Sequence, residues 1–360
     1  MKKFLLILSY LASLGLWNVA SAAPVIEVTL LGTGVPLTNA AALNAAGRAL
    51  SGLMVKAGTE KMLFDCGQGI FTRLIQSGGS MMTPNVGVDK VFLSHLHSDH
   101  IGDLGALYAV GALYRKVDAT GSDPSTLPLR VWGPEGGPNQ PVATWALMQN
   151  FRIAYETDFF VRLLFTGPGD ATITPESVET INSTTELFEG VVYSNDGVTV
   201  TAFLVDHKPV EPAYGFRVDY LGHSIVYSGD TTFSQNLINH SINVDILVHE
   251  VYGFARADGP LIFDFHTSPE QAAQIFLATQ PKQAIYTHLV IPPGTTPRDL
   301  VNRTRAAGYH GPLRSGRDFM RIIVNDDSTI SITAPPKTAN LDTKKATSSF
   351  IEVGQPVFAP

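Results

Sequence analysis

The sequence predicts an α/β protein built as a four-layer αββα sandwich, two mixed β-sheets packed together with helices outside. Three observations carry that expectation. Apolar runs of strand length and stretches of helical periodicity come in two successive series along the chain. Several of the strands in both series stop at histidine or aspartate, so that one site can lie where both sheets end. The 360 residues are 44% apolar and 16% charged, which fits a folded, water-soluble chain and excludes wholesale disorder.

The first series opens with Val25 to Leu31, β-branched and apolar, stopping at Gly32-Thr33-Gly34 as a strand stops at a turn. Strands follow near Gly52–Lys56 and Lys61–Phe64, then a helix over Gly69–Gln76. Val88–Ser94 reads as a buried strand and Ile101–Tyr114 as a helix. Leu129–Trp132 is a strand ended by Gly133-Pro134, and Pro141–Arg152 is helical. The stretch Thr157–Glu189 has the least pattern and reads as a lobe or insertion over one edge. The second series has a strand at Val198–Val205 and a hairpin of Tyr214–Val218 with His223–Tyr227. A helix over Thr231–Asn239 leads to a strand at Val244–His249. Ser268–Thr279 is a helix with Ser268 as its cap and Gln271 three residues later. A strand at Gln283–Thr287, a helix at Pro297–Ala307 and a hairpin of Arg321–Val324 with Thr329–Thr333 close the series.

The amino terminus reads as an export signal over residues 1–22. Lys2 and Lys3 precede an apolar run from Phe4 to Trp17, and Ala20-Ser21-Ala22 supplies the small residues of a cleavage site near Ala22/Ala23. That run is shorter than the ~20 residues a bilayer requires. No later segment reads as a membrane span, so a secreted or periplasmic chain is expected, with one domain over 23–334. The Pro, Thr, Ser and Lys content of 335–360 marks a loosely ordered tail. Acidic residues outnumber basic ones, 32 to 25, and losing Lys2 and Lys3 would take the formal charge from −7 to −9. Such a chain offers no global positive field for nucleic acid. Its one cysteine, Cys66, excludes an internal disulfide and a Cys-rich zinc ribbon, and follows an apolar strand as a core residue does.

The strongest local signal is Ser94-His95-Leu96-His97-Ser98-Asp99-His100, an H-x-H-x-D-H array directly after Val91-Phe92-Leu93. His95 and His97 lie two apart on an extended segment, so their side chains point the same way, and Asp99 and His100 follow where the chain turns toward a helix. Imidazole with carboxylate suits zinc, with iron or manganese as alternatives; the bland reading is a solvated polar turn. Two ions need more ligands than this array holds. His207, Asp230 and His288 each end an apolar strand and qualify, although each taken singly also reads as a turn residue.

With these residues in order, the sequence resembles the metallo-β-lactamase fold superfamily, in the branch of tRNase Z-type phosphodiesterases and AtsA-type arylsulfatases. Leu31-Gly32-Thr33-Gly34, Phe64-Asp65-Cys66-Gly67, the array from Ser94 to His100 and His207 with Ala213-Tyr214-Gly215-Phe216-Arg217 carry the likeness. So do Tyr227-Ser228-Gly229-Asp230-Thr231, Val248-His249-Glu250, the run from Phe265 to Ala273, and Thr287-His288. The resemblance covers about Val25 to Thr333 and implies two zinc ions. His95, His97 and His207 would hold one, Asp99, His100 and His288 the other, and Asp230 would bridge them. A hydroxide between the ions would attack the ester, with Asp99 orienting it. Asp65 would fix the tautomer of a ligand histidine. His266 would protonate the leaving oxygen, with Glu250 charging and orienting it; its bland reading is an ordinary histidine before a helix cap. His249 reads equally well as support for a ligand histidine or as a polar strand end. His223, His240 and His310 read as surface or packing residues.

The resemblance implies an ester hydrolase, and the sequence departs from it in one place. A tRNase Z carries a long arm between the counterparts of His207 and Asp230, but here only 22 residues separate them. With the export signal and the acidic balance, this makes tRNA an unexpected substrate and a small anionic ester, a phosphodiester or aryl sulfate, the expected one. Lactonases and β-lactamases of the same fold usually carry G-H-T-x-G-H at the third histidine, where this chain has His207 in Asp206-His207-Lys208-Pro209; they stay as an alternative. So does a non-catalytic metal-binding protein. Relatives in the branch are often dimers, which leaves a homodimer open.

Overall fold

Strand β1 (Pro24–Gly32) is apolar and β-branched, and every residue except Pro24 and Glu27 is buried. It sits inside a sheet because both of its edges are taken, antiparallel, by β2 (Gly52–Ala57) and β14 (Arg321–Asn325). The computed structural model describes residues 24–36, 47–80, 84–113, 129–137, 139–158, 160–161, 178–181, 189–254 and 265–333. The expected export signal, the expected tail and most of the 157–189 stretch lie outside those residues.

Among the described residues the first sheet runs β15-β14-β1-β2-β3-β4-β5-β6, adding β3 (Glu60–Phe64), β4 (Lys90–Phe92), β5 (Arg130–Pro134), β6 (Val178–Ile181) and β15 (Ile330–Thr333). The second runs β13-β12-β11-β10-β9-β8-β7, made of β7 (Glu189–Asn195), β8 (Val198–Leu204), β9 (Tyr214–Tyr220), β10 (His223–Tyr227), β11 (Ile246–Tyr252), β12 (Gln283–Val290) and β13 (Leu313–Ser315). β3, β4, β5 and β6 pair in parallel, as do β10, β11, β12 and β13. The two sheets bury one apolar layer between them, with Phe64, Phe92, Trp132, Phe216 and Tyr227 at its centre. Phe92 stacks on Phe64 at 5.0 Å and on Trp132 at 4.6 Å. Pairs of this kind add about 0.5–1.5 kcal/mol each beyond their buried area.

Helices cover the outer faces. Over the first sheet α1 (Ile70–Gln76), the single turn α2 (Ser98–Ile101), α3 (Leu104–Leu113) and α4 (Thr144–Ala154) bury Ile70, Leu74, Leu104, Leu107 and Met148. Over the second, α5 (Gln235–Ser241), α6 (Pro269–Thr279) and α7 (Pro297–Ala306) bury Leu237, Ala273, Phe276 and Leu300. The four-layer αββα sandwich is thus the observed architecture. Helix α6 starts where the Ser268–Gln271 spacing predicts: Ser268 Oγ accepts the Gln271 N–H at 3.2 Å, and Gln271 Oε1 accepts the Ser268 N–H at 3.0 Å.

The differences from the sequence reading have local causes. β4 is shorter than Val88–Ser94 because the Ser94 N–H turns to the Asp65 carboxylate rather than to a neighbouring strand. The helix expected over Ile101–Tyr114 is broken between α2 and α3 at Gly102-Asp103, where Asp103 caps the backbone of Gly69 and Phe71. α4 begins at Thr144, after Pro141, and α5 begins at Gln235, after the Ser234 cap, because Thr231 serves the site below. β6, β7 and β13 were not expected as strands. Nor do the two series stay separate: β14 and β15 return to the first sheet beside β1.

Candidate metal centre

The site forms at the carboxyl ends of β4, β8, β10, β11 and β12; all but β8 have a parallel neighbour, and β8 pairs antiparallel on both edges. The segment after β4 is pinned by its own backbone: the Cys66 N–H donates to the His100 carbonyl at 2.7 Å and the Ser51 N–H to that of Asp99 at 3.1 Å. Gly67 is required here, since a Cβ on it would lie 2.0 Å from the Asp99 carbonyl oxygen. Gly229 is required for two reasons, a φ of +58° and a Cβ that would meet the Tyr214 carbonyl at 2.6 Å. It delivers Asp230 into the site.

The structure brings all seven expected ligands into two groups that share Asp230. Ligand atoms of His95, His97, His207 and Asp230 lie within 4.8 Å of one another, and so do those of Asp99, His100, Asp230 and His288. In the second group His288 Nε2 is 3.2 Å from both Asp99 Oδ2 and Asp230 Oδ2, and His100 Nε2 is 3.3 Å from Asp230 Oδ2 and 3.5 Å from Asp99 Oδ2. Ligand bonds of about 2.0–2.1 Å in a tetrahedron give edges of about 3.3 Å, so these separations fit one divalent ion. His207 Nε2, His100 Nε2 and Asp230 Oδ1 are buried without a hydrogen-bond partner among the described residues, as atoms aimed at a cation would be.

The electrostatics agree with that fit. Burial, with His100 beside it, pushes His95 well down toward the neutral ring, and burial holds His207 at about 4. Burial would raise Asp99 and Asp230, but the neighbouring histidines outweigh it, holding Asp99 at about 2 and Asp230 well below the usual carboxylate range. Burial would also deprotonate His100; Asp230, Asp99 and Asp65 around it outweigh that and raise it well above the usual value. Converged carboxylates therefore call for positive charge at this point, which divalent cations supply.

Three of the rings, His95, His100 and His207, are oriented by a partner on the far nitrogen. Asp65, held at a φ of +57°, accepts from Ser94 N–H at 2.7 Å, Ser94 Oγ at 2.8 Å, Tyr227 OH at 2.7 Å and His100 Nδ1 at 2.8 Å. Ser94 Oγ in turn lies 3.0 Å from His95 Nδ1, and His207 Nδ1 donates to the Phe265 carbonyl at 2.9 Å. These partners place the ring proton on Nδ1 and free Nε2 for the site. His288 arrives differently. It sits in a bulge where β12 gains one residue on β11, Glu250 pairing with Thr287 and Val251 with Leu289, and its φ is +43°.

Beside the two groups, His266 Nδ1 lies 2.8 Å from Glu250 Oε1, which also accepts the Thr231 N–H at 2.7 Å. The His266 ring stacks on His288 at 5.4 Å and on Tyr252 at 5.7 Å. Burial alone would lower His266, but Glu250 outweighs it and holds it at about 9; burial in turn pushes Glu250 up. The pair keeps one proton between Nδ1 and Oε1, leaving Nε2–H to point elsewhere.

His249 fits neither of its two sequence readings. It lies in mid-strand on the opposite face of β11, with Nδ1 2.7 Å from the Glu250 carbonyl and its ring against Phe276 of α6. His223 is buried beside Asp245, His240 stacks on Phe203, and His310 is exposed; all three lie outside the two groups. Sequence reasoning missed Ser94, Tyr227 and Thr231 as partners of the site. Their signal was adjacency, since each stands within or beside a motif that carried a ligand.

With this geometry in place, the likeness to known proteins is specific. Residues 60–289 match the family model described as a β-lactamase superfamily domain. A ribonuclease Z from Mycobacterium avium (strain 104) is 31% identical over 315 residues, spanning 84% of this chain and 100% of that protein. One from Mycolicibacterium gilvum (strain PYR-GCK) is 32% identical over 311 residues, 83% of this chain and 96% of that protein. Among solved structures, the metallo-β-lactamase fold protein YhfI from Bacillus subtilis superimposes with a TM-score of 0.55 at 20% identity, covering 86% of this chain and 99% of that one. Human tRNase Z, short form, does so with a TM-score of 0.55 at 22% identity over 82% and 98%.

Proposed function

The chain belongs to the β-lactamase superfamily, as a ribonuclease Z-related hydrolase with the metallo-β-lactamase fold, and from that premise we propose an exported, dinuclear metal hydrolase of small anionic esters. The observation that carries the proposal is the pair of four-donor groups joined at Asp230, with the protonated His266–Glu250 pair alongside. His95, His97 and His207 would hold one ion, Asp99, His100 and His288 the other, and Asp230 would serve both. Zinc is the first choice, manganese or iron(II) the alternatives. Bound ions acidify water and offset negative charge on an ester as it is attacked.

The remaining steps belong to this chain's own residues. Asp99, ionised and buried at the edge of the second group, orients the attacking water by accepting its hydrogen bond. Asp65 and Ser94 keep the imidazoles of His100 and His95 in the tautomer that presents Nε2. His266 delivers the proton on Nε2 to the leaving oxygen, and Glu250 holds the ring and stabilises its charged form before transfer. The anionic substrate class follows from the positive charge that the loaded site sets inside an acidic protein.

The test is a turnover screen on metal-loaded protein with bis-p-nitrophenyl phosphate, p-nitrophenyl sulfate and a lactone panel, beside elemental analysis. Hydrolysis of an anionic ester with two ions per chain supports the proposal, lactone turnover alone moves it to the carbonyl branch, and two ions with no turnover leaves a metal-binding protein. Replacing His266 by Ala should slow esters with poor leaving groups far more than p-nitrophenyl ones while metal content holds; equal losses remove the proton-donor role. The full-length match to curated ribonuclease Z proteins favours a second reading, RNA 3′-end cleavage. A pre-tRNA substrate in the same screen decides between them.

A further inference from the structure

The partners of the ligand histidines are uneven. His100 gives its Nδ1 to Asp65, His95 to Ser94 Oγ and His207 to the Phe265 carbonyl. His288 has both its acidic neighbours, Asp99 and Asp230, on Nε2, and its Nδ1 is buried with no partner among the described residues. Another orphan, outside the two ligand groups, stands beside it. Glu250 is fully buried and gives Oε1 to His266 and to the Thr231 N–H, while Oε2 has no partner among the described residues. A nitrogen of His288, a nitrogen of His266 and an oxygen of Glu250 lie within 4.8 Å of one another. A buried N–H and a buried carboxylate oxygen left unpaired at that range would each lose about 1–3 kcal/mol.

We propose that Glu250 is a positioning residue for the metal centre as well as for His266: Oε1 holds His266, and Oε2 accepts the Nδ1–H of His288 across a gap that a small shift or one water closes. The inference rests on reading His288 as a metal ligand. It gives His288 what the other three buried rings already have, a partner that keeps Nε2 unprotonated for the ion. It also explains a carboxylate with no exposed surface and one idle oxygen. The bulge supports the geometry, since His288 is the extra residue just after Thr287, the strand partner of Glu250. One carboxylate thereby ties the proton donor to the second ligand group.

The experiment compares zinc affinity, by chelator competition on the full chain, in wild type, E250Q, E250A and H266A, with thermal melting to confirm folding. Both Glu250 variants should bind zinc about 10–100-fold more weakly. E250Q should be no better than E250A, because its amide N–H₂ facing His288 favours the tautomer with the proton on Nε2, which cannot bind metal. H266A should stay within about twofold of wild type. Folded E250Q and E250A that keep wild-type affinity overturn the inference, as does an equal loss in H266A. If E250A does not fold, the isosteric E250Q alone decides. Wild-type protein that binds no zinc instead brings down the metal reading itself, a result these comparisons keep separate.

Discussion

The two ligand groups differ in how they are walled. Every donor of Asp99, His100, Asp230 and His288 is buried, whereas the group of His95, His97, His207 and Asp230 includes exposed His97. The buried group leans on Asp65, a carboxylate with four donors of its own, while His207 in the other leans on a single backbone carbonyl at Phe265. A ligand set fixed by a closed hydrogen-bond network loses its ion slowly; one with an open member exchanges it and meets substrate. If both groups hold ions as proposed, the walled group would keep its ion longer than the open one, with Asp230 common to both.

Substitutions can break that contrast in order of effect on metal content. Asp230→Ala should empty both positions, lowering zinc toward zero per chain and activity by more than the about 10–100-fold typical of losing an outer partner; elemental analysis that still finds two ions ends the shared role. Asp65→Asn should strip the buried position first and unsettle the fold, since removing one side of a buried charged pair costs about 3–5 kcal/mol. That is a fall of roughly 10 °C in Tm for a domain of this size, and loss of the exposed position's ion alone would invert the comparison. His97→Ala should cost one ion while leaving Tm nearly unchanged, as surface changes stay within about 0.5 kcal/mol; a large drop in melting temperature would show that the open position is structural after all. Tyr227→Phe should keep both ions and lose about 1.5–3 kcal/mol, the worth of one hydrogen bond to a charged acceptor. Zinc lost in that variant would place Tyr227 in the ion's hold rather than in the scaffold.

The same contrast separates what could be read along the chain from what could not. His95, His97, Asp99 and His100 are legible because they are contiguous and an extended segment fixes their spacing. His207, Asp230 and His288 needed the ordered family pattern, because a polar residue at a strand end has many uses. Ser94, Tyr227 and Thr231 act through one hydroxyl or one N–H, chemistry that any serine, tyrosine or backbone offers, so only coordinates distinguish them. The central strands were visible for a similar reason. β1, β8 and β12 bury both faces or alternate strongly. β7 lies at a sheet edge with six of its seven residues fully or partly exposed in a run that breaks its alternation, and β13 has three residues. The return of β14 and β15 to the first sheet is a choice of distant partner that no local pattern encodes.

The left-handed backbone at His288 has a consequence for how such a chain drifts. A ring side chain held there carries strain on the order of 1 kcal/mol, which binding of an ion would offset. Released from selection for hydrolysis, the position would gain stability by becoming glycine or asparagine. A residue that the chemistry would need is thus also one whose loss would leave the fold hardier.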